Sequence, residues 1–213
     1  PNRPLASNSI SKNNVIIFLF LLIILGLLCT LKINKNAFYF ANLLILLSIA
    51  IYTPYLKKLP LIGNIVISMI LGSVFLFTQL LLINQISDWI LFSLAFSLSM
   101  IRELAKDMAD INGDMQNQIM TFPCKYGLKK SLSMIYALFV ILVIITLVPI
   151  YYNPDNYLYL LTLIIIIYTP LLLGIFSLQK NLTIKSAKLL SKTTKQITFA
   201  GIITILLLDI NIL

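Results

Sequence analysis

The sequence predicts an all-α fold, a polytopic bundle of helices built inside a lipid bilayer. Three observations predict it. Sixty per cent of the 213 residues are hydrophobic and only 11% are charged, against roughly 25% charged in an average soluble domain. Apolar runs long enough to cross a hydrocarbon core ~30 Å thick recur along the whole chain. No alternating strand pattern appears in them, and hydrocarbon offers the backbone no hydrogen-bond partner, so each run must be a helix.

Seven spans are expected, at 15–31, 37–54, 61–83, 88–106, 131–152, 157–178 and 196–213. The first holds Cys29 and stops short of Lys32. The second and third are uncharged and flank the polar segment "YTPYLKKLPLIGN" (52–64). The fourth is the weakest, because its last turn carries Arg102, Glu103 and Lys106. The fifth and sixth are again uncharged, and the seventh holds Asp209 near its far end. No internal repeat and no dividing linker appear, so residues 1–213 read as one transmembrane domain.

With seven spans the connections alternate between two sides, and fourteen of the sixteen Lys and Arg residues fall on one of them. Only Lys32 and Lys35 fall on the other. An excess of Lys/Arg marks the cytoplasmic side. That side should hold residues 1–14, 55–60, 102–130 and 179–195. The net charge of +9 is thus spent on membrane topology and gives no reason to expect nucleic acid. The chain has two cysteines, Cys29 and Cys124, and no histidine. Disulfides, Cys/His zinc sites, histidine acid–base chemistry and serine-hydrolase triads are therefore not expected.

The stretch "RELAKDMADINGDMQNQIMTFP" (102–123) carries four of the seven acids in the chain. On a helix running unbroken through Asn112 and Gly113, Glu103, Asp107, Asp110 and Asp114 share one face. Like charges at that spacing repel, and Arg102 and Lys106 flank the stripe without lying on it. A solvated face is the plain reading. The concentration of scarce acids where a membrane helix meets water favours a functional one. Mg²⁺ takes oxygen ligands, typically one or two carboxylates plus substrate phosphates. A row of aspartates beside basic residues suits a magnesium–diphosphate site.

Asp107-x-x-Asp110-x-x-x-Asp114, preceded by Arg102-Glu103 and followed by Gly127, resembles the second aspartate-rich motif of the UbiA family of membrane prenyltransferases. "PNRPLASNSIS" is similar to the segment that follows that family's first aspartate motif. "YTPYLKKLPLIGN" resembles its Tyr/Lys segment, with the Tyr52-to-Lys57 spacing one residue longer than usual. Tyr52 as an interfacial aromatic and Lys57 as a positive-inside anchor stay open. The resemblance implies a nine-helix fold of which this chain holds seven helices. The first two helices and the Asn-Asp-x-x-Asp motif would lie upstream of Pro1.

The resemblance also implies the activity: Mg²⁺-dependent transfer of a polyprenyl group from a prenyl diphosphate. Asp107, Asp110 and Asp114 would bind metal and diphosphate, and Lys57 would join them as a catalytic residue. Arg3, Tyr52, Asn64, Arg102 and Lys106 would contact the donor, with Glu103 orienting a neighbour. Within the family, "NRPLAS" and "DMADINGD" point to the ether-lipid branch, whose acceptor is geranylgeranylglyceryl phosphate. The alternatives are an aromatic quinone precursor as acceptor, or a non-catalytic transporter or degenerate homologue. A transporter would more often place ionisable groups at mid-membrane, where this chain has almost none. The 213 residues alone are expected to be inactive, since the aspartate stripe supplies ligands on one side of the phosphates only.

Overall fold

The computed structural model describes residues 7, 9–52, 55–86, 89–152 and 154–206. Arg3, Asp88 and Asp209 lie outside the described residues, as does the side chain of Lys57. The described helices are α1 (Lys12–Thr30), α2 (Lys35–Leu46), α3 (Ile62–Ile83), α4 (Ile90–Gln116), α5 (Phe122–Tyr152), α6 (Tyr157–Thr162), α7 (Thr169–Lys180) and α8 (Ile184–Leu206). A π-helical segment, Leu47–Tyr52, prolongs α2, and a second, Leu163–Tyr168, joins α6 to α7 without a break. Seven helical rods result among the described residues. Five of them are long and apolar enough to cross a membrane: α1, Lys35–Tyr52, α3, α5 and Tyr157–Lys180. The other two, α4 and α8, combine one apolar half with one charged half.

α4 is the centre of the bundle, packed against α3, α5 and α8. Ile101, Leu104, Ala105 and Met108 on it are fully buried. Their i, i+3, i+4, i+7 spacing makes one apolar stripe. Ile135, Leu142, Leu171, Ile175 and Leu190 from α5, α7 and α8 close the core around that stripe. By contrast, α1 buries none of its apolar window, which suits a face turned to lipid. Gly72 lets α3 approach α4 closely, since a Cβ there would stand 2.9 Å from the Phe92 carbonyl oxygen.

The two ends of the bundle differ. At one end the α1–α2 turn meets the end of α3: Asn34 Nδ2 donates to the Leu80 carbonyl at 2.6 Å, and Asn36 Nδ2 donates to Asn84 Oδ1 at 3.1 Å. The acids of α4 gather at the other end. The helix runs on through Asn112 and Gly113 to Gln116, so the expected connection 102–130 shrinks to the five residues between α4 and α5 and a kink at Gly127 (φ 83°, ψ 166°) in the first turns of α5. Glycine inside a helix costs only about 1 kcal/mol relative to alanine, which packing on three neighbours offsets. The expected loop 179–195 is likewise mostly helix. Thr183 and Ser186 cap each other's backbone N–H groups at 3.3 and 3.2 Å and start α8 at Ile184. Reciprocal capping of this kind fixes a helix start.

Candidate active site

Three local devices aim side chains into one cleft. The π-helical segment after α2 adds a residue per turn and ends on Tyr52; such segments recur at functional sites. A tight turn centred on Leu61 (φ 65°, ψ −37°), with Ile62 N–H donating to the Pro60 carbonyl at 2.8 Å, starts α3. For a bulky residue that backbone geometry is strained, and it sets Asn64 in the first turn of α3. At the end of α4, Gln118 adopts φ 55°. The N–H of Ile119 returns to the Asp114 carbonyl at 2.9 Å, and that of Gln118 to Met115 at 3.2 Å, the paired bonds of a Schellman stop. The chain then doubles back, and the buried Thr121 hydroxyl donates to Asp114 Oδ2 at 3.2 Å.

The cleft encloses about 630 Å³ and is lined by Tyr52, Asn64, Lys106, Asp107, Asp110 and Asp114 among others. Asn64 is 6% exposed and donates from Nδ2 to Asp107 Oδ2 at 2.7 Å. Glu103, 5% exposed, also reaches the cleft. It holds Lys106 Nζ at 2.9 Å and Arg102 Nη1 at 2.7 Å. A carboxylate so buried needs both partners. Burial pushes the Asp107 carboxyl up to about 7; Asn64 pulls against the rise, Asp114 and Glu103 add to it, and Lys106 opposes them.

The structure therefore brings together six of the residues expected from sequence: Tyr52, Asn64, Lys106, Asp107, Asp110 and Asp114. Arg102 does not line this cleft. It turns into a neighbouring groove and touches the site only through Glu103. Arg3 and the Lys57 side chain are outside what is described. Sequence reasoning missed Thr121 and Asn117, which also line the cleft. Asn117 reaches it as the C-cap of α4, and Thr121 by the chain reversal at Gln118, where a glutamine gives no sequence signal for a left-handed residue.

Among the described residues, no three acids converge closely enough to hold a metal by themselves. The oxygens nevertheless fit a hard cation shared with a phosphate ligand, since magnesium takes few carboxylates. Burial first, and then the negative charge of Asp114 and Glu103, raise the Asp107 carboxyl, and a cation in the cleft would oppose both.

Comparison with known proteins identifies the family of the fold. The model of the UbiA prenyltransferase family matches residues 1–195. A digeranylgeranylglyceryl phosphate synthase of Methanococcus maripaludis is 32% identical over 211 residues, covering 97% of this chain and 73% of that protein. One from Methanocaldococcus jannaschii is 34% identical over 152 residues, covering 71% and 52%. A solved structure described as giving structural and mechanistic insights into the biosynthesis of digeranylgeranylglyceryl phosphate synthase in membranes is 31% identical. It has a TM-score of 0.71 and is covered over 74% of its length by 98% of this chain. The long apolar helices and the family match define an integral membrane enzyme. The chain belongs to the UbiA prenyltransferase family. It is a prenyltransferase, and the transporter alternative is set aside.

Proposed function

We propose that the protein moves a geranylgeranyl group from its diphosphate to the free hydroxyl of a glycerol phosphate lipid such as geranylgeranylglyceryl phosphate. The observation that carries the reading is the cleft itself. It sets Asp107, Asp110, Asp114, Asn64 and Lys106 together at the polar end of an apolar bundle, as an amphiphilic diphosphate requires. The names of the relatives support the acceptor class. An aromatic acceptor has no such support. The Lys/Arg asymmetry supports a cytoplasmic orientation for this end of the bundle.

In the reaction the bond between the allylic carbon and the diphosphate oxygen breaks, and its electron pair leaves with the diphosphate. A lone pair of the acceptor hydroxyl forms the new carbon–oxygen bond, and the hydroxyl proton passes to the departing diphosphate. The work of the chain is electrostatic. Lys106, held in place by Glu103, faces the charge that develops on the leaving group. Asn64 fixes the Asp107 carboxylate, and Thr121 fixes that of Asp114. Asp107, Asp110 and Asp114 would hold Mg²⁺ together with the donor phosphates; when bound, it supplies neutralising charge to the diphosphate. Lys57 and Arg3 are assigned to the donor by family resemblance, and Tyr52 by its place in the cleft.

The test is transfer of labelled geranylgeranyl diphosphate to geranylgeranylglyceryl phosphate by membranes carrying the full-length protein, with and without a magnesium chelator. Transfer that stops on chelation and resumes with added magnesium is expected. Undiminished transfer in chelator would overturn the metal assignment, and failure to label any glycerol phosphate lipid would overturn the acceptor.

A further inference from the structure

Beside the acidic cleft lies a second cavity of about 730 Å³, between α7, the start of α8 and Arg102 of α4. Its lining carries five cations, Arg102, Lys185, Lys188, Lys192 and Lys195, and not one acid. Among the described residues, none of the four lysines has an acidic partner. On α8 they recur at i, i+3, i+7 and i+10, which gathers them on one face. Cations at such spacing repel one another. Positive-inside topology asks only that lysines lie at this end of the helix. It does not ask that they share a face and converge on an arginine from another helix.

We infer that this groove is a binding site for the phosphomonoester head group of a glycerolipid, and that the acceptor lipid binds through it. The inference rests on the proposed acceptor class and adds the place where its phosphate is held. A phosphomonoester carries about −1.5 to −2 charge near neutral pH, with three strong acceptor oxygens, which suits a cation-rich, acid-free cavity. The lining includes no aromatic ring that would favour a choline-type head group. The volume lies in the range of small-molecule sites. The groove and the cleft are also adjacent. Ile184 lines the cleft while Lys185, the next residue, lines the groove. Glu103 lines the cleft and pairs with Lys106 there and with Arg102, which lines the groove. A glycerol phosphate with its phosphate in the groove would present its hydroxyl toward the cleft. Phosphate recognition in the groove then leaves Lys106 and the aspartates to the donor.

The test measures binding to the protein in neutral phosphatidylcholine nanodiscs. The probes are a monoalkyl glycerol phosphate with a free hydroxyl, a short-chain phosphatidic acid without one, and inorganic phosphate. Wild type is compared with Lys188→Gln/Lys192→Gln and with the charge-preserving Lys188→Arg/Lys192→Arg. The monoalkyl glycerol phosphate should bind roughly twentyfold more weakly to the glutamine variant and normally to the arginine variant. Binding of geranylgeranyl diphosphate, unchanged in both, shows that the fold is intact. In transfer assays the glutamine variant should raise the KM for acceptor and leave kcat and the donor KM in place. Unchanged affinity for the monoalkyl glycerol phosphate in the glutamine variant overturns the groove. Phosphatidic acid binding as tightly as the monoalkyl lipid, or inorganic phosphate competing equally with either, overturns its assignment to the acceptor. If wild type transfers nothing to the monoalkyl lipid yet binds it with the expected charge dependence, the groove stands and the proposed reaction falls.

Discussion

Asp107 sits where several effects meet: partial burial, the Asn64 amide on one oxygen, and Asp114 and Glu103 crowding it with charge. Asp107→Ala or Asp114→Ala should lower transfer by two orders of magnitude or more. Removing one group that stabilises developing charge typically costs about 3 kcal/mol. Membrane insertion and yield should hold, because neither side chain belongs to the apolar core. Radiolabel transfer measured beside membrane-fraction yield checks this, and near-wild-type turnover in both variants would leave the acidic face a merely solvated one. Asn64→Leu is a finer probe. It keeps the volume and removes the 2.7 Å hydrogen bond to Asp107. The remaining carboxylate loses its amide donor, an effect of about 1.5–3 kcal/mol for a hydrogen bond to a charged group, or roughly a ten- to hundredfold change in donor affinity. Donor titration of the variant tests it; no change would show that Asn64 does not position Asp107.

Among the elements, α4 decides most, because its two faces do different work. One stripe, from Ile101 to Met108, packs the bundle, and the face turned from it carries the aspartates. Close contact with α3 depends on Gly72. Gly72→Ala would drive a Cβ to 2.9 Å from the Phe92 carbonyl, a backbone atom that cannot swing aside. Overpacking of this kind costs about 1–3 kcal/mol. Gly174→Ala serves as the comparison, since its nearest neighbour is the movable end of Leu190, at 2.8 Å. Thermal denaturation in detergent should show a clearly larger loss for Gly72→Ala, and equal losses would contradict the packing argument. Orientation is a further question for the elements. With Cys29 and Cys124 replaced, single cysteines at Met115 and Asn34 should react with an impermeant thiol reagent from opposite faces of the membrane. Labelling of both from the same face would break the alternation of spans.

For the whole molecule, the mixture of an apolar bundle with a charged end predicts the choice of acceptor. Geranylgeranylglyceryl phosphate offered in competition with 4-hydroxybenzoate should take essentially all of the label. Prenylation of the aromatic acid alone would overturn the acceptor while leaving the family untouched. Sequence patterning reached far at this scale. Apolar runs and the 0, +4, +7, +11 spacing of the acids located the helices and the aspartate face, since a helix buried in lipid has few alternatives.

By itself, the sequence determined the helical class, the membrane setting and the stripe at Asp107, Asp110 and Asp114, because periodicity and composition are local properties of the chain. Tertiary structure decided what met that stripe. Asn64 lies 43 residues from Asp107 in the chain and 2.7 Å from it in space. Thr121 arrives by a reversal at Gln118, and Arg102 departs into a groove shared with α8. Adjacent letters 102 and 103 even serve different cavities, because successive helical residues point about 100° apart. Which cavity each reaches depends on the neighbouring helices, and no window of sequence contains them.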